Sequence, residues 1–401
     1  MKYDIAIIGG GIIGLSAART LLNKRPKLKI AILEKERRIA MHQSGRNSGV
    51  IHSGVYYEPK SEKARLCVKG SKELYRFCER KGIPFKKIGK VIVALKEPEQ
   101  MGLEQLFERG KENGVEGIRL IDGKELRQIE PYAAGLSAVY CPETGIVDFI
   151  RVCESFLEEF KSQGGEIFFH WEAKKIHCNK NNIAIMSEGR KIQSKYLLIC
   201  AGVYSDRLAQ LCGGRETPKV IPFRGDYLLL KKSARPLVRG LIYPVPDPRF
   251  PFLGVHFTPR MDGEVWLGPN AVLAFGRESY SFCQWNFKDA METLSYPGFL
   301  RLAGKYWRTG MMELYRDLFK SAYTKELKRY LPDIKNGDCE YGASGIRAQT
   351  LNEDGSLVED FLFEQIGDRI LCVRNAPSPA ATSSLAIGEV ILEKLVRLIE
   401  N

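Results

Sequence analysis

The N-terminal segment has an order of apolar and glycine-rich stretches that is typical of a strand, a tight turn, a helix and a second strand. Tyr3 to Ile8 is a short apolar run rich in β-branched residues, and Lys29 to Leu33 is another. Between them, Leu15 to Leu22 has the composition of a helix. We therefore predict that the chain begins with a βαβ unit and has an α/β fold.

Three glycines at the first turn fit the G-x-G-x-x-G spacing of a dinucleotide-binding site. Gly9 permits the tight turn, Gly11 lets the backbone approach a pyrophosphate, and Gly14 lets the helix pack on the strand. Glu34 follows at the tip of the second strand, where a carboxylate accepts hydrogen bonds from ribose hydroxyls and repels a 2′-phosphate. The pattern predicts dinucleotide binding, and the alternative is an ordinary glycine-rich turn.

Further apolar runs indicate two sheets that interrupt each other along the chain. Short strands with turns between them indicate an antiparallel sheet, whereas continuous apolar runs are typical of buried parallel strands. The predicted parallel strands are 3–8, 29–33, 166–169, 196–200 and 370–373, and the antiparallel stretches are 88–140 and 220–340. We predict a cofactor-binding domain made of residues 1–87, 145–215 and 340–401, and a second domain made of 88–144 and 216–339.

The chain carries a formal net charge of +13, from 61 Lys and Arg against 48 Asp and Glu. Such an excess suits an acidic substrate, an anionic membrane surface or nucleic acid, and a diffuse basic surface is the simpler alternative. Because no nucleic-acid-binding motif is present, we expect no nucleic-acid partner.

The cysteines and histidines predict no metal site. The ten cysteines contain no C-x-x-C pair, and the five histidines lack zinc-type spacing. Free thiols suit a reducing cytosol, no signal peptide is visible, and no apolar stretch reaches the ~20 residues that span a bilayer. We expect a cytoplasmic protein whose membrane contact, if it has any, is peripheral, on the inner face of the cell membrane.

A basic helical segment, residues 287–330, has nine Lys and Arg, five acids and many interleaved aromatic side chains. This composition suits an amphipathic helix that lies on an anionic membrane. It equally suits a helical cap that buries the aromatic side chains on the second sheet. The sequence leaves both interpretations open.

Five longer stretches carry a family resemblance. They are His42–Tyr57 (HQSGRNSGVIHSGVYY), Pro222–Leu229 (PFRGDYLL), Gly254–Phe275 (GVHFTPRMDGEVWLGPNAVLAF), Gly345–Gln349 (GIRAQ) and Asn375–Gly388 (NAPSPAATSSLAIG). With the N-terminal glycine motif, they make the chain resemble the D-amino-acid-oxidase-like superfamily of flavoproteins, and within it the L-2-hydroxyglutarate dehydrogenase (oxidase) family. The resemblance covers essentially the whole chain. It implies a Rossmann-like FAD-binding domain with an inserted antiparallel-sheet substrate domain plus the helical segment.

The resemblance also implies which residues hold a non-covalent FAD. The pyrophosphate would lie at Gly9, Gly11 and Gly14, and the adenosine ribose at Glu34. Backbone N–H groups at the start of the last helix would face the flavin N1/C2=O edge, where hydride transfer places negative charge. The remaining expected contacts are Ser44, Gly45, Asn47, Ser48, Ala173, Gly202, Pro379, Ala380, Ala381, Thr382 and Ser383.

The reaction implied by the resemblance is oxidation of L-2-hydroxyglutarate to 2-oxoglutarate, with hydride transfer to flavin N5. A base must take the hydroxyl proton, and histidine suits that role near neutral pH. The candidates are His52 and His256, each with a structural histidine as the alternative. One of them acts as base while the other orients the substrate, and the sequence does not decide which.

A five-carbon diacid needs two anion-binding groups, and arginine offers a fork matched to a carboxylate. We assign the carboxylate beside the reacting carbon to Arg347, because related amine oxidases use an arginine on this strand. Arg224 and Arg260 are candidates for the distal carboxylate, with ion pairs as the alternative. Tyr243 is a candidate hydroxyl donor.

Two other functions remain open at this point. A flavoenzyme of the same superfamily that oxidises an amino acid, an amine or glycerol 3-phosphate would share the cofactor residues. A basic flavoprotein that binds membrane or nucleic acid without catalysis would share the charge. A membrane quinone is the expected electron acceptor if the basic helical segment contacts a bilayer, and oxygen or a soluble carrier is expected otherwise.

Overall fold

The computed structural model describes residues 1–179, 181–247 and 254–400, which form two large mixed sheets flanked by helices. Its strands are β1 Lys2–Ile8, β2 Ile30–Leu33, β3 Val50–Ile51, β4 Phe85–Lys87, β5 Lys90–Ala94, β6 Arg119–Asp122, β7 Ser137–Cys141, β8 Gly145–Val147, β9 Glu166–Phe168, β10 Lys175–Cys178, β11 Ile183–Ser187, β12 Arg190–Ile199, β13 Lys219–Leu230, β14 Leu241–Pro244, β15 Phe257–Pro259, β16 Val265–Leu267, β17 Val272–Leu273, β18 Cys339–Leu351, β19 Leu362–Ile366 and β20 Ile370–Asn375. Its α-helices are α1 Ile12–Lys24, α2 Glu62–Lys81, α3 Gln100–Glu112, α4 Gly123–Ile129, α5 Phe149–Ser162, α6 Ser205–Leu211, α7 Phe287–Leu294, α8 Pro297–Leu318, α9 Lys320–Leu327 and α10 Ser384–Glu400.

The first sheet confirms the predicted Rossmann-like arrangement. The strands β9, β2, β1, β12 and β20 run parallel to one another in that spatial order. β10, β11 and β19 add antiparallel strands to the sheet. Helices α1, α5 and α10 pack together over the parallel strands, as their contacts with one another and with β1 and β2 show. The carboxyl ends of β1 and β20 therefore meet at one edge, where α1 and α10 begin.

The second sheet is largely antiparallel and has the order β17-β13-β16-β15-β14-β5-β7-β6, with β18 paired to β13. One pair, β14 with β5, is parallel. β18 keeps its pairing with β13 from Cys339 to Leu351. The predicted domain boundary at residue 340 therefore falls inside a strand of the second sheet, and the chain leaves this sheet after Leu351.

The basic helical segment folds as three helices, α7, α8 and α9, and Tyr306 interrupts the helical geometry within α8. Tyr323 and Leu327 of α9 are buried in the core of the second sheet. Much of α8 is different, because the side chains of Trp307, Met311 and Tyr315 are more than half exposed. No helix in the described ranges combines the length and the hydropathy needed to cross a bilayer.

Candidate active site

A cavity of about 1040 Å³ is lined by residues from both sheets. One end is formed by the glycine motif, Glu34 and Trp171, and the other by His52, His256 and Arg347, together with their neighbours. The turn before α10 contributes the wall from Pro377 to Thr382. The cavity thus joins the predicted nucleotide site to the predicted reaction site.

The glycine motif shapes the nucleotide end through close backbone approaches. Gly9 has φ of +112°, and a Cβ atom there would lie 2.3 Å from the Cys200 carbonyl oxygen. A Cβ at Gly14 would lie 2.1 Å from the Gly9 carbonyl oxygen, so Gly14 is needed where α1 packs on β1. At Gly11 the nearest atom to such a Cβ is Ser44 Oγ at 3.2 Å, so this position faces open cavity.

Glu34 is buried at the end of β2 and is held by backbone donors. Its two carboxylate oxygens accept hydrogen bonds from the Gly10 N–H at 2.6 Å and the Glu36 N–H at 2.9 Å. Ala173 and Trp171 line the same end of the cavity. These groups lie where the resemblance places the adenosine.

The loop between β2 and β3 is shaped by its own side chains. Ser44 Oγ accepts a hydrogen bond from the Ile12 N–H at 2.9 Å, at the first turn of α1. Asn47 donates to the carbonyls of Gln43 and Ser44 and accepts from the Gly49 N–H. These bonds hold the loop against the N-terminus of α1, where an anion is favoured.

The turn before α10 is tied to the His52 loop by Thr382. Its hydroxyl accepts a hydrogen bond from the His52 N–H at 3.1 Å and donates to the Val50 carbonyl at 3.3 Å. The turn therefore cannot move independently of His52.

The structure brings most of the predicted cofactor residues to the cavity wall, but not all of them. Gly14, Gly45 and Ser383 are absent from its lining. A Cβ at Gly45 would lie 2.3 Å from the Ala40 carbonyl oxygen, so Gly45 serves packing, as Gly14 does. The residues that do line it are Gly9, Gly11, Glu34, Ser44, Asn47, Ser48, Ala173, Gly202, Pro379, Ala380, Ala381 and Thr382.

His52 lines the reaction end, and the Nδ1 atom of its ring is buried. Within the described part of the chain, its Nδ1 atom has no hydrogen-bond partner. Burial, followed by the nearby charge of Lys90, holds the pKa of His52 well below its ordinary value. His52 is therefore neutral at pH 7 and offers an unused ring nitrogen.

His256 precedes β15 and has a defined tautomer. Its Nδ1 atom lies 3.1 Å from the Gly254 carbonyl oxygen, which can only accept, so Nδ1 carries the proton and Nε2 carries a lone pair. Its ring stacks on Tyr243, with centroids 4.1 Å apart and an interplanar angle of 27°. Burial lowers the pKa of His256 to about 3, and the charges of Arg347 and Lys90 add to this effect. Nε2 is therefore unprotonated at pH 7 and can accept a hydrogen bond from a group in the cavity.

Arg347 of β18 lines the cavity beside these histidines. Its charge is close enough to lower the pKa of His256. The sequence interpretation missed Tyr227 and Gln349, which line the same region. Tyr227 lies in the stretch PFRGDYLL and Gln349 lies in the stretch GIRAQ. Gln349 is two residues beyond Arg347, so the two side chains are on the same face of β18. Strand alternation was the signal that could have identified it.

Arg224 and Arg260 do not line the cavity, so the structure does not support either for the distal carboxylate. Arg224 is buried and forms ion pairs of 2.7 Å with Asp226 and Asp317. Arg260 lies over the Trp266 ring at 3.9 Å and donates to the Asn47 carbonyl at 2.8 Å. Their guanidinium groups are engaged in packing and ion pairing, which was the alternative interpretation.

A cluster near the nucleotide end brings together groups that are distant in sequence. His42 Nε2 lies 3.0 Å from a Glu36 carboxylate oxygen, and Glu278 is adjacent. Lys35 forms ion pairs with both glutamates, so its ammonium already provides their counter-charge. Sequence spacing alone could not group these side chains.

The described residues fit FAD. Gly11, which has no Cβ atom, faces the cavity at the N-terminus of α1, where a pyrophosphate is favoured. The cavity continues from there to His52, whose Nδ1 atom is buried and unpaired in the described chain. An elongated group with a phosphate centre and a polar ring matches this course.

Comparisons with known proteins agree with the geometry. The family model described as DAO, FAD dependent oxidoreductase, matches residues 4–394. "L-2-hydroxyglutarate dehydrogenase, mitochondrial" of Mus musculus is 50% identical over 403 residues, which cover 96% of this chain and 87% of that protein. "L-2-hydroxyglutarate dehydrogenase" of Indibacter alkaliphilus is 48% identical, with 98% of each chain covered.

Solved structures share the fold at lower identity. FAD-bound L-alpha-glycerophosphate oxidase from Mycoplasma pneumoniae has a TM-score of 0.80 and 23% identity, covering 100% of this chain and 95% of that one. Glycine oxidase from Geobacillus kaustophilus has a TM-score of 0.74 and 19% identity, covering 99% and 95%. The chain therefore belongs to the DAO family of FAD dependent oxidoreductases and, within it, to the family of the L-2-hydroxyglutarate dehydrogenases.

Proposed function

We propose that this chain oxidises L-2-hydroxyglutarate to 2-oxoglutarate. The observation that carries the proposal is the arrangement of His256 and Arg347. A neutral, buried histidine with a free Nε2 lone pair lies beside a guanidinium on the wall of the same cavity. A 2-hydroxy acid presents the matching pair of groups, a hydroxyl proton next to a carboxylate. The names of the relatives, which cover the whole length of the chain, support the same substrate.

Each side chain has a defined role in this reaction. FAD, when bound, supplies the acceptor for the hydride that leaves C2 of the substrate. His256 Nε2 takes the hydroxyl proton, because Nδ1 is already committed to the Gly254 carbonyl. Arg347 orients the carboxylate beside C2 through its fork of donors. His52 is neutral and has an unused ring nitrogen, so it forms a hydrogen bond with the substrate as either donor or acceptor.

Burial contributes to the chemistry as well as to stability. Tyr243, Tyr227 and His256 are all buried, which limits the access of water to the reaction end. A dry environment keeps the histidine neutral and strengthens the attraction between Arg347 and a carboxylate. An anionic substrate loses its hydration in the same environment, so its binding depends on the contact between its carboxylate and Arg347.

Anaerobic reduction of the bound flavin tests the proposal. L-2-hydroxyglutarate is added to the yellow protein, and bleaching of the visible flavin band is followed. We expect rapid bleaching with the L-enantiomer and none with the D-enantiomer. A loaded protein that is bleached instead by glycerol 3-phosphate or an amino acid would identify the alternative substrates of the superfamily.

We further propose that electrons leave to a membrane quinone, with the protein bound peripherally at the inner, cytoplasmic face of a membrane. The support is the exposed side of α8. Trp307, Met311, Tyr315 and Leu318 are spaced to share one face of the helix and are 49–60% exposed. Basic residues accompany them, and apolar side chains flanked by positive charge suit an anionic bilayer surface.

Vesicle sedimentation tests this second proposal. We expect the protein to sediment with vesicles that contain anionic lipid and to remain in solution with zwitterionic vesicles. Trp307→Ser combined with Met311→Ser should abolish binding, whereas Leu120→Ser, at a similarly exposed apolar residue of β6, should not. Equal binding by all three proteins would contradict the assignment of α8. Reduction of a soluble quinone analogue by the substrate-reduced protein tests the acceptor separately.

A further inference from the structure

Lys90 is a charged residue that neither the fold nor the proposed reaction has yet explained. It opens β5 and is only 1% exposed. By strand alternation it shares a face with Ile92, in the apolar cluster that also contains Leu241 and Tyr243. Within the described ranges, its Nζ atom has neither a hydrogen-bond partner nor an ion-pair partner. Burying an ammonium in this way costs stability, so its presence calls for another reason.

The surroundings of Lys90 connect it to the proposed base. Its Nζ atom lies 4.3 Å from the centre of the Tyr243 ring and 5.2 Å from the centre of the Tyr56 ring. Tyr243 in turn stacks on His256 at 4.1 Å. The Lys90 ammonium therefore contacts the Tyr243 ring, which in turn contacts the His256 imidazole. Attraction to the faces of aromatic rings stabilises the ammonium in the absence of a carboxylate partner.

In the part of the chain that the structure describes, the titratable thiols and the second tyrosine beside Lys90 contribute no negative charge. Burial raises the pKa of the Cys67 thiol and raises that of Cys141 to about 11, and it raises the pKa of Tyr56 as well. All three are neutral at pH 7. Among the described residues, the charges that act on His256 are those of Arg347 and Lys90, and both are positive.

We propose that Lys90 is a positioning residue for the general base: its ammonium holds Tyr243 against His256 and keeps the imidazole neutral when a dicarboxylate occupies the cavity. The inference rests on the proposed function. Two carboxylates near His256 favour its protonated form, which could not accept the hydroxyl proton. The positive charge behind Tyr243 opposes that effect and leaves Nε2 free. Burial lowers the pKa of Lys90 itself to about 8, so the ammonium persists at neutral pH.

The test is the pH dependence of kcat, which reports ionisations in the substrate complex. Lys90→Met preserves the length of the side chain and removes the charge. We expect the acid limb of the profile to move to higher pH by about one unit, which is about a tenfold loss of rate on that limb. Lys90→Arg retains the charge and should leave the limb near its wild-type position. Lys90→Gln is a second neutral variant that should shift the limb as Lys90→Met does.

Two further measurements separate positioning from a structural role. Lys87→Met is the matched control, because Lys87 is exposed and pairs with Glu143, and it should not move the profile. In the 2-oxoglutarate complex, the NMR signal of His256, assigned with His256→Gln, should titrate at higher pH in Lys90→Met. Thermal stability should be unchanged or increased in that variant, because an unpaired buried charge is removed.

The outcomes distinguish this inference from the function on which it rests. Wild-type protein that L-2-hydroxyglutarate does not reduce would overturn the proposed function and the role of Lys90 with it. Wild-type protein that is reduced, with an acid limb unchanged in both neutral variants, would overturn only the role of Lys90. A loss of stability in the neutral variants with an unchanged histidine titration would assign Lys90 to the fold.

Discussion

Gly11→Ala and Gly14→Ala, two substitutions at the start of α1, should impair different properties of the protein: the first its FAD affinity and the second its stability. In Gly11→Ala the new Cβ meets only Ser44 Oγ, at 3.2 Å, and the backbone at φ −80° and ψ 175° accepts alanine. The methyl group then projects into the cavity, where the pyrophosphate is expected. We predict that the protein folds with a stability within about 1 kcal/mol of wild type. Its FAD affinity should fall by about 3 kcal/mol, or more than a hundredfold in Kd, because one or two charge-assisted hydrogen bonds are lost.

Gly14→Ala should instead damage the fold. Its Cβ would lie 2.1 Å from the Gly9 carbonyl oxygen and 3.4 Å from Cys200 Cβ, and the backbone oxygen cannot move away without shifting β1. Overpacking of this kind costs about 1–3 kcal/mol. Gly304→Ala is the control, because Gly304 is exposed within α8 and nothing lies within 4 Å of the added Cβ.

Two measurements on each variant separate these effects. Thermal unfolding of the FAD-free protein reports the fold, and quenching of FAD fluorescence on titration reports affinity. FAD should stabilise wild type by about 2.7 kcal/mol at a hundredfold excess over Kd, and Gly11→Ala much less at the same concentration. If Gly11→Ala bound FAD as tightly as wild type, the cavity beside Gly11 would not be the pyrophosphate site.

Three further predictions concern His256, Arg347 and Arg224. The unfolded chain protonates its histidines near the ordinary pKa of 6.5, whereas burial lowers the pKa of folded His256 to about 3. Stability should therefore fall as the pH drops from 7 to 4, by roughly 3 kcal/mol for His256 alone. Urea unfolding midpoints across this range measure the loss, and His256→Gln should flatten the slope. Arg347→Met should raise KM for L-2-hydroxyglutarate at least tenfold in steady-state kinetics, since a charge-assisted contact is worth about 1.5–3 kcal/mol. Arg224→Met should leave KM unchanged and lower stability by about 3 kcal/mol in thermal unfolding, because it leaves the largely buried Asp317 side chain without the guanidinium that pairs with it.

These predictions also have clear contrary results. If the loss of stability between pH 7 and pH 4 were the same in His256→Gln as in wild type, titratable groups other than His256 would account for it. A raised KM in Arg224→Met with wild-type stability would restore Arg224 as the ligand of the distal carboxylate. An unchanged KM in Arg347→Met would remove Arg347 from the substrate site.

The sequence predicted the parts of the molecule that depend on local pattern. The βαβ unit follows from the runs Tyr3 to Ile8 and Lys29 to Leu33 around a glycine turn, and the structure has both strands there. The basic helical segment also followed from its periodicity. The domain boundary predicted at residue 340 stays a prediction; β18 continues past it to Leu351 through its pairing with β13, and such pairing leaves no local signal in the sequence.

The roles of the charged residues could not be predicted from the sequence alone. Arg224 was a plausible carboxylate ligand until the fold brought Asp317, 93 positions away, to its guanidinium. Lys90 begins an apolar strand, a position from which a lysine usually reaches solvent. Its burial results from Tyr56 and Tyr243, which arrive from separate segments of the chain. The role of a charged side chain depends on partners that only the tertiary structure supplies.

The two halves of the cavity impose different demands on the sequence. The nucleotide end uses backbone groups and the absence of Cβ atoms, as at Gly9 and Gly11, so it constrains only a few positions. The reaction end uses side chains: Arg347 lies on β18 of the second sheet, and His256 directly precedes β15 of the same sheet. A change of substrate can therefore be made on the second sheet without disturbing the cofactor groove. The glycerophosphate and glycine oxidases share this fold at 23% and 19% identity, and a shared fold does not fix the substrate. We therefore expect the charges placed around His256, which belong to the site and not to the fold, to select the acid that this chain oxidises.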